Sequence, residues 1–119
     1  MALGTFTSAE DTSINSSSAT TNYGTSTGVY TGKYSTDGPY RPLVQFDYSS
    51  LDGATINSGS LVLTVSDDFS ANARTLSVYR LKRNWVELEA TWNIYSTGNN
   101  WQTAGATGVD DSEGTEIGS

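Results

Sequence analysis

The sequence predicts an all-β chain, an antiparallel β-sandwich of jelly-roll type. Three observations predict it. Short runs of alternating apolar and polar residues recur along the 119 residues. Turns rich in Gly, Asp and Asn separate those runs, as in sandwiches. The composition agrees: 12 Gly among many Thr, Tyr and Val suits short strands and tight loops. The 3 Trp, 7 Tyr and 3 Phe supply core material that a disordered Ser/Thr-rich chain lacks.

Residues 1–22 read as an extended polar arm with the first strand or strands, and 23–119 as the sandwich. Leu3 and Phe6 alternate weakly, and "TSINSSSATTNYGTSTG" is too polar for anything but extended loop. "GVYTGKY" is a short strand with Val29 and Thr31 opposing Tyr30 and Gly32. "STDGPY" reads as a turn, because Asp-Gly-Pro does not continue a ladder. "RPLVQFDYSSL" is the next strand, with Val44, Phe46 and Tyr48 alternating. "SLVLTVS" is the cleanest strand, and it is expected to be central, with Leu61, Leu63 and Val65 facing the core. In "TLSVYRLKRNW" Leu76 and Val78 oppose Tyr79 and Leu81. Trp85, Leu88 and Trp92 have helical spacing, but Thr91, Ile94 and Tyr95 favour strand, so one helical turn is the most expected there.

About six or seven strands result, where a jelly roll has about eight. The chain stops at "GTEIGS", within what reads as a further strand. The sandwich therefore lacks its closing strands here, and either continues further or is completed by a partner.

Charge and chemistry exclude several functions. Six basic against 13 acidic residues leave a net charge of −7, which is no footprint for nucleic acid. Arg74, Arg80, Lys82 and Arg83 read as a solvated strand edge. With no Cys and no His, there is no disulfide, no thiolate metal site and no Ser-His-Asp triad. "MALGTFTSAEDTS" is not a signal peptide, and no segment has the ~20 apolar residues of a membrane span. The Asn15-Ser16-Ser17 sequon is discounted without an export signal.

Glu87 and Glu89 share a face if extended, but nothing around them tunes a catalytic pair, so no enzyme is expected. No cofactor is expected either. Structural Ca²⁺ is the one metal considered, with Asp67, Asp68, Asp110 and Asp111 as its candidate ligands. Trp85 and Trp92 read as core. Trp101 follows "YSTGNN" in a loop, where a flat ring is placed to stack on a sugar or pack on a partner. Trp101, Tyr95, Tyr34 and Tyr40 are the candidate binding residues for carbohydrate or a protein partner.

The order "TNYGTSTGVYTGKY", "YRPLVQFDYSSL", "ATINSGSLVLTV", "LSVYRLKRNW" and "EATWN" resembles the DNRLRE-type domain. Asn22, Tyr23 and Gly24 match its "NYG" loop, Arg41 the basic residue opening the next strand, and Phe46-Asp47 its "FD" pair. Leu61 and Leu63 match the following strand, Trp85 and Glu87 the "W-x-E" turn, and Thr91, Trp92 and Asn93 its "TWN". The resemblance implies a jelly-roll module of bacterial surface or secreted proteins, in some members a carbohydrate-binding module, with relatives among phage structural proteins. Two functions follow. The main expectation is a non-catalytic virion module, a tailed-phage capsid decoration or fibre anchor, docking on other virion proteins or copies of itself. The alternative is an extracellular carbohydrate-binding module of a polysaccharide-degrading protein.

Overall fold

The computed structural model describes residues 4–70 and 72–118. Strands β1 (Ser8–Asn15), β2 (Gly32–Tyr34) and β3 (Asp37–Phe46) form an antiparallel sheet in the order β1-β3-β2. The register sets Asp11 opposite Val44, Ile14 opposite Arg41 and Asn15 opposite Tyr40. A two-stranded ladder joins β4 (Ile94–Ser96) to β5 (Asn99–Asn100) across Thr97-Gly98, where Gly98 takes φ +79°. Isolated antiparallel bridges, Val78 to Gly118 and Leu81 to Ser112, tie together the chain around that hairpin. The architecture is all-β and antiparallel, consistent with a β-sandwich.

The core lies between these two parts. Ile14 and Leu43 from the sheet meet Trp85, Ala90, Trp101 and Ala106 from the later segments. Leu81, Trp92 and Tyr95 pack against this cluster. Trp85 is 6% exposed, and so is core as its indole area requires. Trp92 is half-buried, with the Arg41 guanidinium 4.7 Å from its ring centroid and Gly105 against its edge. Residues 87–89 form a single turn closed by the Ala90 N–H donating to the Val86 carbonyl at 2.8 Å.

Four expectations need correction. First, the segment from Thr12 to Asn15, expected as loop, is the second half of strand β1. Thr12, Ser13, Ile14 and Asn15 are each at most 1% exposed, because their polar groups are satisfied inside. The Tyr30 N–H donates to Ser13 Oγ at 2.7 Å, and Asn15 Nδ2 donates to Asp37 Oδ1 at 2.9 Å. One hydroxyl here does the work of a ladder partner. That also disposes of the sequon, since Asn15 is 0% exposed.

Second, Asp37-Gly38-Pro39 opens β3 instead of ending in a turn; the turn is Ser35-Thr36. A register shift between Gly32 and Tyr34 sets Gly32 opposite Tyr40 and Tyr34 opposite Asp37, so no rung is asked of Pro39. Third, "SLVLTVS" forms no strand, and Leu61, Leu63 and Val65 are 41%, 51% and 75% exposed. Alternation marks which residues share a face but supplies no ladder partner. The segment runs beside β1 and β3 across a cleft of about 560 Å³ lined by Asp11, Val44, Phe46, Leu61 and Leu63. Fourth, "TLSVYRLKRNW" contributes only the two bridges, so the named strands among the described residues are five. No helix among the described residues is long and apolar enough to cross a membrane.

Candidate functional site

Two surfaces gather the residues that binding would use. The first is the β2–β3 hairpin. Asn15, at the end of β1, stands opposite Tyr40, and both hold the Asp37 carboxylate: Asn15 Nδ2 on Oδ1, the Tyr40 hydroxyl on Oδ2. The Tyr40 hydrogen bond, then that from Asn15, keep Asp37 below the usual carboxylate range. In return the Asp37 hydrogen bond, first among the causes, pushes the Tyr40 hydroxyl well above its ordinary value. Asp37 is therefore a fixed anion, and a carboxylate has acceptor sites to spare beyond two donors.

Other tyrosines lie around Tyr40 and along the hairpin. Tyr23 and Tyr30 lie 6.1 and 5.6 Å from Tyr40, centroid to centroid. Tyr34, opposite Asp37 across the turn, is 68% exposed and meets Phe69 edge-on at 6.1 Å. Tyr30 is 53% exposed. The structure thus brings Tyr34 and Tyr40 onto one hairpin. It adds Tyr30, Tyr23, Asp37 and Asn15, which the sequence reading missed. Their signal was in the chain, as three tyrosines within "VYTGKYSTDGPY", but it was hidden by reading Asp37-Gly38-Pro39 as a turn.

The second surface lies by the β4–β5 hairpin, and it corrects the view of Trp101. That ring is 4% exposed, with Nε1 donating to the Thr91 carbonyl at 2.9 Å. It is a core residue and offers no free face for stacking. Tyr95 is half-buried between Trp101, 5.5 Å away, and the Arg83 guanidinium, also 5.5 Å away. Outside Trp101 opens a shallow cleft of about 450 Å³, lined by Thr20, Asn93, Ile94, Asn100 and Ala104.

The acidic candidates have other duties. Asp111 is 0% exposed and faces only donors: the N–H groups of Gln102, Thr103 and Gly108 at 2.8–3.1 Å, and Arg83 Nε at 3.3 Å. Burial pushes its carboxyl up, but the bonds from Thr103, Gln102, Arg83 and Gly108 outweigh this and hold it below the ordinary value. A cation has no place among those donors. Asp110 accepts from Gln102 Nε2 at 3.2 Å, and Asp68 from the Ser70 N–H at 2.8 Å. Asp67 is exposed, and no group of three metal-binding side chains occurs among the described residues. Glu87 accepts from the Asp11 N–H at 2.9 Å and Glu89 from the Thr97 N–H at 2.7 Å, so each ties down a different loop. They do not form a pair.

The sequence profile of Carbohydrate-binding module family 96 matches residues 2–111, nearly the whole chain. The chain belongs to this family. No curated protein and no solved structure matches it. A module of a carbohydrate-binding family is not catalytic in itself. Membership favours the second of the two functions drawn from the sequence and lends no support to the virion reading.

Proposed function

We propose that this module binds a neutral polysaccharide through the tyrosine face of the β2–β3 hairpin. The observation that carries the reading is the pairing of exposed Tyr30 and Tyr34 with the pre-set Asp37 carboxylate. A sugar presents C–H groups on a ring face and hydroxyls at its rim. Tyrosine faces match the first, and a carboxylate held by Tyr40 and Asn15 accepts from the second without paying to be ordered. The net charge of −7 and the anion within the site select against acidic sugars. The resemblance to DNRLRE-type domains, some of them carbohydrate-binding, points the same way, and the reading places the module's action outside the cell.

The test is a binding screen against β-glucan, xylan, mannan and alginate, followed by Tyr34→Ala and Asp37→Asn. Binding to a neutral polymer should weaken at least about tenfold in Tyr34→Ala, the equivalent of 1.4 kcal/mol. Tyr34 is mostly exposed, so the variant should keep the wild-type melting temperature. Selective binding to alginate, or binding indifferent to both substitutions, overturns the reading.

A further inference from the structure

Residues 55–66 take no part in either ladder. Among the described residues, none of them makes a hydrogen bond, and every one is exposed. Within them lies "SLVLTVS", which alternates as a strand does and holds no charge and no proline. Free strand edges are ordinarily blunted by charged residues or proline, so this segment keeps a template for pairing. Val62 is 82% exposed, and Leu61, Leu63 and Val65 are exposed as well. The chain's own sheet does not cover them, since the cleft of about 560 Å³ opens between Leu61 and Leu63 on one side and Val44 and Phe46 on the other.

The order of residues says what kind of strand fits. "SLVLTVS" reads nearly alike in both directions: Ser60 mirrors Ser66, Leu61 mirrors Val65, Val62 mirrors Thr64, and Leu63 stands at the centre. Two copies laid antiparallel about Leu63 set serine against serine, Leu61 against Val65 and Val62 against Thr64. Every rung joins uncharged residues, and the inner rungs join apolar or β-branched ones, whose cross-strand contacts stabilise a pair. Such a pair has two-fold symmetry, because the same surface serves both partners.

Charge fixes the direction. Asp67 and Asp68 follow the segment directly. In the antiparallel register they stand opposite Gly59 and Ser58 of the second copy. A parallel, in-register pair would set each aspartate against itself, and like charges directly opposite destabilise. The molecule as a whole opposes association, as each chain carries −7. The uncharged segment is where two copies can meet at least cost.

We propose that "SLVLTVS" is a self-association strand, which pairs antiparallel with the same residues of a second copy about Leu63. Stable interfaces use about 20–30 residues a side, so a seam this short makes a weak and reversible dimer. The proposal does not depend on which face of the module binds carbohydrate.

Sedimentation of the whole chain from about 10 µM to about 1 mM should show monomer passing into dimer. Dimer should form more readily at about 0.5 M salt than at about 0.1 M, as the repulsion is screened. Leu63→Lys sets two ammonium groups face to face and should weaken the dimer at least about tenfold, and Leu63→Glu should do the same. Mixing the two variants should restore association, because the register sets residue 63 against itself. Both should keep the melting temperature of the dilute wild type, since Leu63 is 51% exposed. Amide exchange at 61–65, fast in the dilute monomer, should slow as the wild type is concentrated, but not in Leu63→Lys. A wild type that stays monomeric throughout overturns the proposal. So does a dimer indifferent to Leu63→Lys, which would be built elsewhere on the surface. Slow exchange at 61–65 at every concentration, or unfolding of dilute Leu63→Lys, overturns it too, because the segment would then be packed on its own chain.

Discussion

Asp111 ties four donors to one buried carboxylate. Three backbone N–H groups and Arg83 converge on a fully buried carboxylate. Asp111→Ala should therefore cost about 3–5 kcal/mol in denaturant unfolding, because truncation strands every donor at once. Its carboxyl titrates below the ordinary value in the folded state. The stability it contributes is thus complete above the unfolded value of about 3.9 and is lost as pH falls through the lower folded value. Wild-type stability should drop below about pH 4, and the drop should be shallower in Asp111→Asn. Trp101→Ala should cost about 3–5 kcal/mol, the range for a buried aromatic, where an exposed platform residue would cost almost nothing. Its burial was not legible in "TGNNWQT", because the partner of Nε1 is a backbone carbonyl ten residues away in sequence. Trp85 was legible, since its indole sits in a run that already had to pack.

Elements were legible where apolar alternation coincides with a paired strand, and illegible where the two part company. β3 was found by alternation, and the single turn at 87–89 by the clash between helical spacing and strand propensity. The half of β1 from Thr12 read as loop because its buried face is mostly polar, and only the fold reveals that Tyr30 and Asp37 satisfy Ser13 and Asn15. "SLVLTVS" misled in the opposite direction, with the right pattern and no ladder. Amide hydrogen exchange should separate the two, with slow exchange along β1 and β3 and fast exchange from Leu61 to Val65. Protection of 61–65 equal to that of β3 would show a paired strand. The "NYG" loop is an element-scale clamp as well. Asn22 Nδ2 donates to the Glu87 and Ala90 carbonyls, both at 2.8 Å, and a Cβ on Gly24 would meet the Glu87 carbonyl oxygen. Asn22→Ala should therefore lower stability by about 1–3 kcal/mol, through two carbonyls left without their donor.

At the scale of the whole molecule, the charge distribution decides how binding should respond to solution conditions. The chain carries −7 and no histidine, so no side chain at its ordinary value changes charge between about pH 5 and 8. The carboxylate at the proposed site is held down by Tyr40 and Asn15, and it stays ionised throughout that window. Affinity for a neutral polysaccharide should therefore be flat across it. Salt provides the sharper test. Raising ionic strength from about 0.1 to about 1 M shortens the screening length from about 10 to 3 Å. Contacts between tyrosine faces and an uncharged sugar involve no long-range field, so calorimetry should return the same affinity at both. A polyuronate faces the field of an acidic domain, and its binding should strengthen as that repulsion is screened. Affinity that instead falls steeply with salt would mean that the exposed cations, Lys33 or those between Arg74 and Lys82, hold an acidic chain. The binding surface would then have to be moved away from Asp37.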